Sequence, residues 1–183
     1  MKRTQDKAAL LLCSFFIVVF VVAFAQNRHY PMLVIAGEDS VGTWMSGVLL
    51  IVCATTSISI GIRQSKAVWF LLALFFLILA CDERFMFHEQ LKEKIVFFFG
   101  STRGVSRWVA ELPVLIGAVI GVFVSHFLWQ LLTGKSRLLL VLAAVFGTAS
   151  VIIDVLSSGV LFEECFKLAG ELAIACGLLF KLD

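Results

Sequence analysis

The sequence has few charged residues for its length. Only 15% of its 183 residues are Asp, Glu, Lys or Arg, whereas 61% are hydrophobic and Phe alone occurs 18 times. A soluble domain of this size needs more polar surface, because a protein with a water-exposed surface rich in Phe would aggregate. The sparse charge therefore excludes an ordinary soluble domain and indicates a membrane protein.

Motifs that would identify a particular chemistry are also missing. The five cysteines form no Cys-x-x-Cys pair, which removes the usual thioredoxin-like and zinc-ribbon patterns. There is no Glu-x-x-His pair, and no basic run is interleaved with aromatic residues. We therefore expect no nucleic-acid partner, and we expect most cysteines to pack as small apolar side chains.

Long apolar stretches dominate the chain instead. Since a bilayer core is about 30 Å thick, a helix needs roughly 20 mostly apolar residues to cross it. Six stretches are long enough or nearly so, and they predict an all-α, polytopic membrane bundle that forms a single transmembrane domain over residues 1–183. The predicted spans are residues 8–25, 41–62, 67–87, 110–132, 138–157 and 160–182.

The first stretch also has features of a secretory signal peptide. A basic start and Ala23-Phe24-Ala25 before Gln26 are typical of a cleaved segment. The apolar run of about 18 residues is longer than a usual signal-peptide core, so we interpret it as a retained helix.

Residues 91–99 form a shorter segment after the third span. Leu91, Ile95 and Phe98 share one helical face, whereas the charged residues between them lie elsewhere. This pattern predicts an amphipathic helix in the membrane interface, with a continuation of span three as the alternative.

Basic residues predict the orientation. They precede span one and lie between spans two and three and between spans four and five, which places these segments in the cytoplasm. The segment between spans three and four also carries basic residues, but acidic residues are interleaved with them. The orientation that fits best places both termini in the cytoplasm. We therefore expect a multi-pass protein of the cell inner or plasma membrane. The cytoplasmic residues are Lys2, Arg3, Lys7, Arg63, Lys66, Lys135 and Arg137.

Small residues recur at four-residue spacing in the last three spans. The motifs are Gly117-x-x-x-Gly121, Ala143-x-x-x-Gly147 and Ala169-x-x-x-Ala173-x-x-x-Gly177. Such faces let helix backbones approach closely in lipid. We expect a compact bundle around spans four to six, with membrane lipid as surroundings and a homo- or hetero-oligomer formed through the same faces as a further possibility.

Carboxylates gather at the predicted outer ends of four spans. The 15 residues from 67 to 81 make only about 22 Å of helix, so Asp82 and Glu83 are expected inside the outer leaflet. A charge there must be paired, protonated, metal-bound or exposed to water. These side chains predict a divalent metal site of unknown identity, built from Asp82, Glu83, His88, Glu89, Asp154, Glu163 and Glu164.

Helical spacing gives more specific expectations. A continuous helix would put Asp82, Met86 and Glu89 on one face and pair Arg84 with His88 on another. In span six, Lys167 is the natural partner of Glu171, four residues later. Lys167 and Glu171 also form a possible ion or proton relay.

Most of these acidic groups, other than Asp82 and Asp154, also have a structural interpretation. Glu38 and Asp39 suit the cap of span two, and Glu163 and Glu164 complement the N-terminal dipole of span six. Lys167 and Glu171 alone would make an ordinary ion pair within one helix.

Four functions remain open from the sequence. The first is cation binding in an undefined role at the outer carboxylate and His cluster. The others are a metal-dependent hydrolase of membrane lipid, a proton- or ion-coupled transporter or channel, and a non-catalytic subunit or assembly factor of a membrane complex. No residue is assigned a catalytic role.

Overall fold

The structure, a computed structural model, describes residues 2–26, 34, 40–99, 112–156 and 160–182. This part of the chain contains seven long helices and no strand. The helices are α1 (Lys2–Gln26), α2 (Val41–Gln64), α3 (Ala67–Phe85), α4 (Phe87–Phe99), α5 (Leu112–Leu131), α6 (Gly134–Leu156) and α7 (Val160–Lys181). The predicted all-helical class is confirmed.

The helix boundaries follow local chemistry. Ser40 caps α2, because its Oγ accepts a hydrogen bond from the Thr43 backbone N–H at 3.1 Å. The proposed cap residues Glu38 and Asp39 lie outside the described residues. α3 ends two residues before the predicted boundary, because Met86 adopts a left-handed conformation with φ of 52°. The Met86 backbone N–H donates a hydrogen bond to the Asp82 carbonyl.

The same turn makes the segment after α3 a separate helix. α4 begins at Phe87, four residues before the predicted amphipathic segment, and Leu91, Val96 and Phe97 are exposed on it. A continuation of α3 is therefore wrong. The expectation that Asp82, Met86 and Glu89 share one face also fails, because the chain is not continuously helical through Met86.

Three helices are long and apolar enough to cross a membrane by length and composition. They are α1, over Thr4–Gln26, α2, over Val41–Gln64, and α6, over Gly134–Asp154. Leu115–Leu131 of α5 is a shorter apolar helix. α3 has 19 residues and carries its charged side chains in its last turn, whereas α7 has 22 residues and carries charged side chains from its first turn to its last. These charges form the site described below.

α6 and α7 pack closely as an antiparallel pair. A Cβ added at Gly170 would lie 3.2 Å from the Ala143 carbonyl oxygen, and one at Gly177 would lie 3.3 Å from the Ser136 carbonyl oxygen. Small residues in α7 therefore permit the contact expected from the sequence. Gly117 and Gly121 of α5 differ, since a Cβ at either position would have, apart from the backbone of its own helix, no atom of the described residues within 4 Å.

The buried centre of the bundle lies around α2, α3 and α7. α2 packs against both other helices, and α1 adds a contact with α7. Trp69, Met45, Leu49 and Leu178 are fully buried in one apolar cluster, to which α1 contributes Phe16. This core holds the polar side chains of α2, α3 and α7 at fixed positions.

Contacts at one end of the bundle bring four helix ends together. Arg63 at the end of α2 donates a hydrogen bond to the Leu182 carbonyl, just after α7. The ammonium of Lys135, at the start of α6, lies 3.9 Å from Asp6 of α1 and 5.7 Å from the centre of the Phe180 ring. The beginnings of α1 and α6 thus share one end with the ends of α2 and α7.

Candidate functional site

An ion-pair cluster joins α3 to α7 at the opposite end of the bundle. The Lys167 ammonium lies 2.9 Å from Glu83 Oε1, in the last turn of α3, and 2.7 Å from Glu164 Oε2, three residues earlier in α7. Only 25% of the Lys167 side chain and 15% of each of these two Glu side chains are exposed. The three charged groups therefore lie mostly inside the bundle, where the ammonium offsets part of the negative charge.

A third carboxylate extends this cluster towards α2. Glu171 lies one helical turn beyond Lys167, and its Oε1 accepts a hydrogen bond of 2.8 Å from the Ser46 hydroxyl. Its other oxygen, Oε2, is buried without a hydrogen-bond partner among the described residues. We call Ser46, Glu83, Glu164, Lys167 and Glu171 the Lys167 cluster.

The predicted pairing of Lys167 with Glu171 is wrong. Within the described part of the chain, no ion pair of 4.0 Å or less joins them. Helical spacing made Glu171 the natural partner, but the packing of α3 against this face offers Glu83, and Glu164 reaches Lys167 from the preceding turn. Glu171 stays within electrostatic range of Lys167 and bonds to α2 instead.

A second polar group lies at the junction of α3 and α4. Asp82 Oδ1 accepts the His88 backbone N–H at 2.9 Å, and Asp82 Oδ2 lies 2.9 Å from His88 Nδ1. Glu89 lies 3.4 Å from the other ring nitrogen and 3.3 Å from the Lys92 ammonium. His88 is therefore a partner of Asp82 rather than of Arg84, because the turn at Met86 folds the start of α4 back onto the end of α3.

The environment of His88 favours its charged form. The hydrogen bond to the Asp82 carboxylate raises the pKa of His88, and its charge attraction to Asp82 and Glu89 adds to this effect. Partial burial and the nearby Lys92 ammonium oppose it. The imidazole thus acts with Asp82 as a clasp between the two helices.

The seven predicted metal ligands divide into separate groups. Asp82, His88 and Glu89 meet at the α3–α4 junction, while Glu83 and Glu164 contact Lys167. Glu163 lies within electrostatic range of Asp154 and Glu164. In the ranges that the structure describes, no three His, Cys, Asp or Glu side chains are arranged to hold a metal ion. Metal binding stays a prediction without support from this geometry.

Sequence reasoning missed Ser46. This residue is fully buried and lies on the face of α2 that also carries Gly42, Cys53 and Ser57. Small and hydroxyl side chains at three- and four-residue spacing permit close contact and hydrogen bonding between membrane helices. The pattern was present in the sequence, although it does not identify Glu171 as the partner.

The comparisons with known proteins give a family but no activity. No curated protein matches the chain, and no solved structure does. A family profile matches residues 8–182, which is nearly the whole chain. The protein therefore belongs to the family described as "Domain of unknown function (DUF8692)".

Proposed function

We propose that this protein is a six-span integral membrane protein whose Lys167 cluster binds a cation or a proton in transit through the bundle. α1, α2 and α6 are long and apolar enough to cross a membrane, and α5 contains a shorter apolar stretch. α3 and α7 supply the other two spans in this proposal. Their mutual ion pairs support it, because pairing lowers the cost of charged side chains in a membrane.

The charge distribution supports an orientation with both termini in the cytoplasm. Lys135 approaches Asp6, and Arg63 contacts the residue after α7, so these basic groups share one end of the bundle. Basic residues mark the cytoplasmic ends of membrane helices. The Lys167 cluster, at the ends where α2 and α7 begin, would then lie towards the outer side.

The charge balance of the cluster supports a binding role. Glu83, Glu164 and Glu171 supply three carboxylates, whereas Lys167 supplies one ammonium. Carboxylates that are partly or fully withdrawn from water and close to one another take up a proton or a further cation. The observation that carries the proposal is the buried, unpartnered Oε2 of Glu171, since it leaves an acceptor available beside an excess of negative charge.

Ligand-dependent stability tests the binding role. The melting temperature of the purified protein is measured over pH and with Na⁺, K⁺, Mg²⁺, Ca²⁺, Mn²⁺ or Zn²⁺, for the wild type, Glu171→Gln and Glu89→Gln. Glu171→Gln keeps an acceptor for Ser46 but removes the charge, and the half-exposed Glu89 is the matched control. A bound ligand raises the melting temperature by mass action.

With added metal ions, we expect the wild type and Glu89→Gln to respond alike and Glu171→Gln to lose the response. In the pH series, we expect Glu171→Gln to depart from the wild type further than Glu89→Gln, which alters stability only through its contacts with His88 and Lys92. A gain with one metal ion identifies that ion as the ligand, whereas a difference confined to the pH series identifies a proton. The proposal is overturned when Glu171→Gln matches the wild type in both series.

A further inference from the structure

An apolar groove of about 510 Å³ lies between α5 and α6, away from the Lys167 cluster. Ser125 and Trp129 line it from α5, and residues from Leu140 to Ile152 line it from α6. Among the described lining residues, the polar side-chain groups are the hydroxyls of Ser125 and Thr148 and the indole N–H of Trp129. The groove therefore suits a long hydrocarbon chain.

A cationic side chain lies at the Trp129 end of this groove. The Arg137 guanidinium carbon is 4.6 Å from the centre of the Trp129 ring, and an Arg137 terminal nitrogen donates to the Trp129 carbonyl at 3.0 Å. Arg137 Nε is buried and has no hydrogen-bond partner among the described residues. Lys135, two residues earlier, adds an exposed ammonium at the same helix start.

We infer that the groove binds one acyl chain of an anionic phospholipid whose phosphate lies against Arg137. Leu140 and Ile152 are separated by about 18 Å of helix, at 1.5 Å per residue. This length is close to one leaflet of hydrocarbon, about 15 Å, which is half of the bilayer core. One chain can therefore follow α6 from its headgroup to the middle of the membrane.

Charge complementarity selects the headgroup. A guanidinium donates paired hydrogen bonds to phosphate oxygens, and the Arg137 guanidinium lies over the Trp129 ring at the edge of the groove. Under the proposed orientation, Arg137 and Lys135 lie at the cytoplasmic leaflet, where anionic lipids are found. A second protein helix would fill the apolar groove without a phosphate, and phosphatidylglycerol would then stabilise the protein no more than phosphatidylcholine.

Lipid-dependent stability tests the site. The melting temperature of the purified chain is measured in neutral detergent with added dioleoylphosphatidylglycerol, dioleoylphosphatidylcholine or inorganic phosphate. The two lipids have the same chains and differ in charge. We expect phosphatidylglycerol to raise the melting temperature by several degrees, and both phosphatidylcholine and inorganic phosphate to have a much smaller effect.

Two pairs of variants separate the headgroup from the groove. Arg137→Gln should remove the preference for phosphatidylglycerol, whereas Lys66→Gln, which removes an exposed charge after α2, should keep it. Ala144→Phe fills the groove and should abolish the stabilisation, whereas Val122→Phe, on an exposed face of α5, should not.

Several results would overturn the inference. Equal stabilisation by the two lipids would show that the site does not recognise the headgroup charge. An effect of inorganic phosphate equal to that of phosphatidylglycerol would show that the site binds an anion and not a lipid. If phosphatidylglycerol stabilises Ala144→Phe as much as the wild type, the acyl chain does not bind in the groove. When Arg137→Gln does not fold, the two Phe variants decide the result, since they retain Arg137.

Discussion

The Lys167 ammonium lies 2.9 Å from Glu83 Oε1, although 84 positions separate the two residues in the sequence. This contact links the last turn of α3 to the second turn of α7. Glu171, one turn further along α7, is hydrogen-bonded to Ser46 of α2. Polar contacts thus connect three helices at one end of the bundle.

Removal of one charge from this link should destabilise the protein. Lys167→Met leaves Glu83 and Glu164 without their cation, and loss of one partner of a buried pair costs about 3–5 kcal/mol. Glu83→Gln in the same chain should restore part of that loss, with a coupling of about 0.5–3 kcal/mol. Denaturant unfolding of the two single variants and the double variant measures this coupling.

Glu89 provides the control for that cycle. Lys167→Met and Glu89→Gln should be additive, because Glu89 contacts His88 and Lys92 instead. Coupling between Lys167 and Glu171 should be smaller than between Lys167 and Glu83. Additive effects for the Lys167 and Glu83 pair would show that the two side chains do not interact.

The Asp82–His88 clasp should make stability depend on pH. Because the folded protein raises the pKa of His88, the clasp contributes its full stability below the unfolded pKa of about 6.5 and loses it as the pH rises through the folded value. His88→Gln should therefore lower the melting temperature more at about pH 5.5 than at about pH 8.5. An equal difference at both pH values would mean that the charge on His88 does not contribute.

α1 should remain attached to the bundle through its contact with α7. Cys13 Sγ lies 3.8 Å from Cys176 Sγ, so a membrane-permeant two-electron oxidant should convert this thiol pair into a disulfide. Oxidation followed by thiol counting on the denatured protein should show the loss of two thiols in the wild type and of none in Cys13→Ser. Cys81→Ser, at an exposed position of α3, should behave as the wild type.

Both termini should face the cytoplasm. A reporter that is active only outside the cytoplasm should give no signal when it is fused after α7. It should also give no signal when it is inserted after α5, since α5 ends and α6 begins on the cytoplasmic side in the proposed topology. A strong signal from the C-terminal fusion would mean that the Lys167 cluster lies on the cytoplasmic side or that the number of spans is not six.

The helices were largely predictable because each depends on a continuous apolar stretch. α2 begins at the predicted residue, Val41, and α7 begins at Val160, also as predicted. The end of α3 was not predictable, since Asp82 to Phe87 gives no Gly or Pro to mark the left-handed turn at Met86. That one turn changes the neighbours of His88.

The charged members of the Lys167 cluster were predictable, although as parts of two separate sites, whereas Ser46 and the pairing were not. Sequence reasoning selected Glu83, Glu164, Lys167 and Glu171 because charged residues in apolar helices need partners. It assigned Lys167 to Glu171 because only contacts within a helix can be read from spacing. The actual partner, Glu83, depends on how α3 packs against α7, which is a tertiary property.

Ion flux in proteoliposomes tests the transport role of the Lys167 cluster most directly. Purified wild type, Glu171→Gln and Glu89→Gln are reconstituted at equal density, and uptake of protons and of each metal cation is followed by fluorescent indicators under an imposed gradient. The account predicts flux of one cation above that of empty liposomes for the wild type and Glu89→Gln, and a loss of roughly tenfold or more in Glu171→Gln. Wild-type flux no faster than that of empty liposomes, or equal flux in Glu171→Gln, would contradict it.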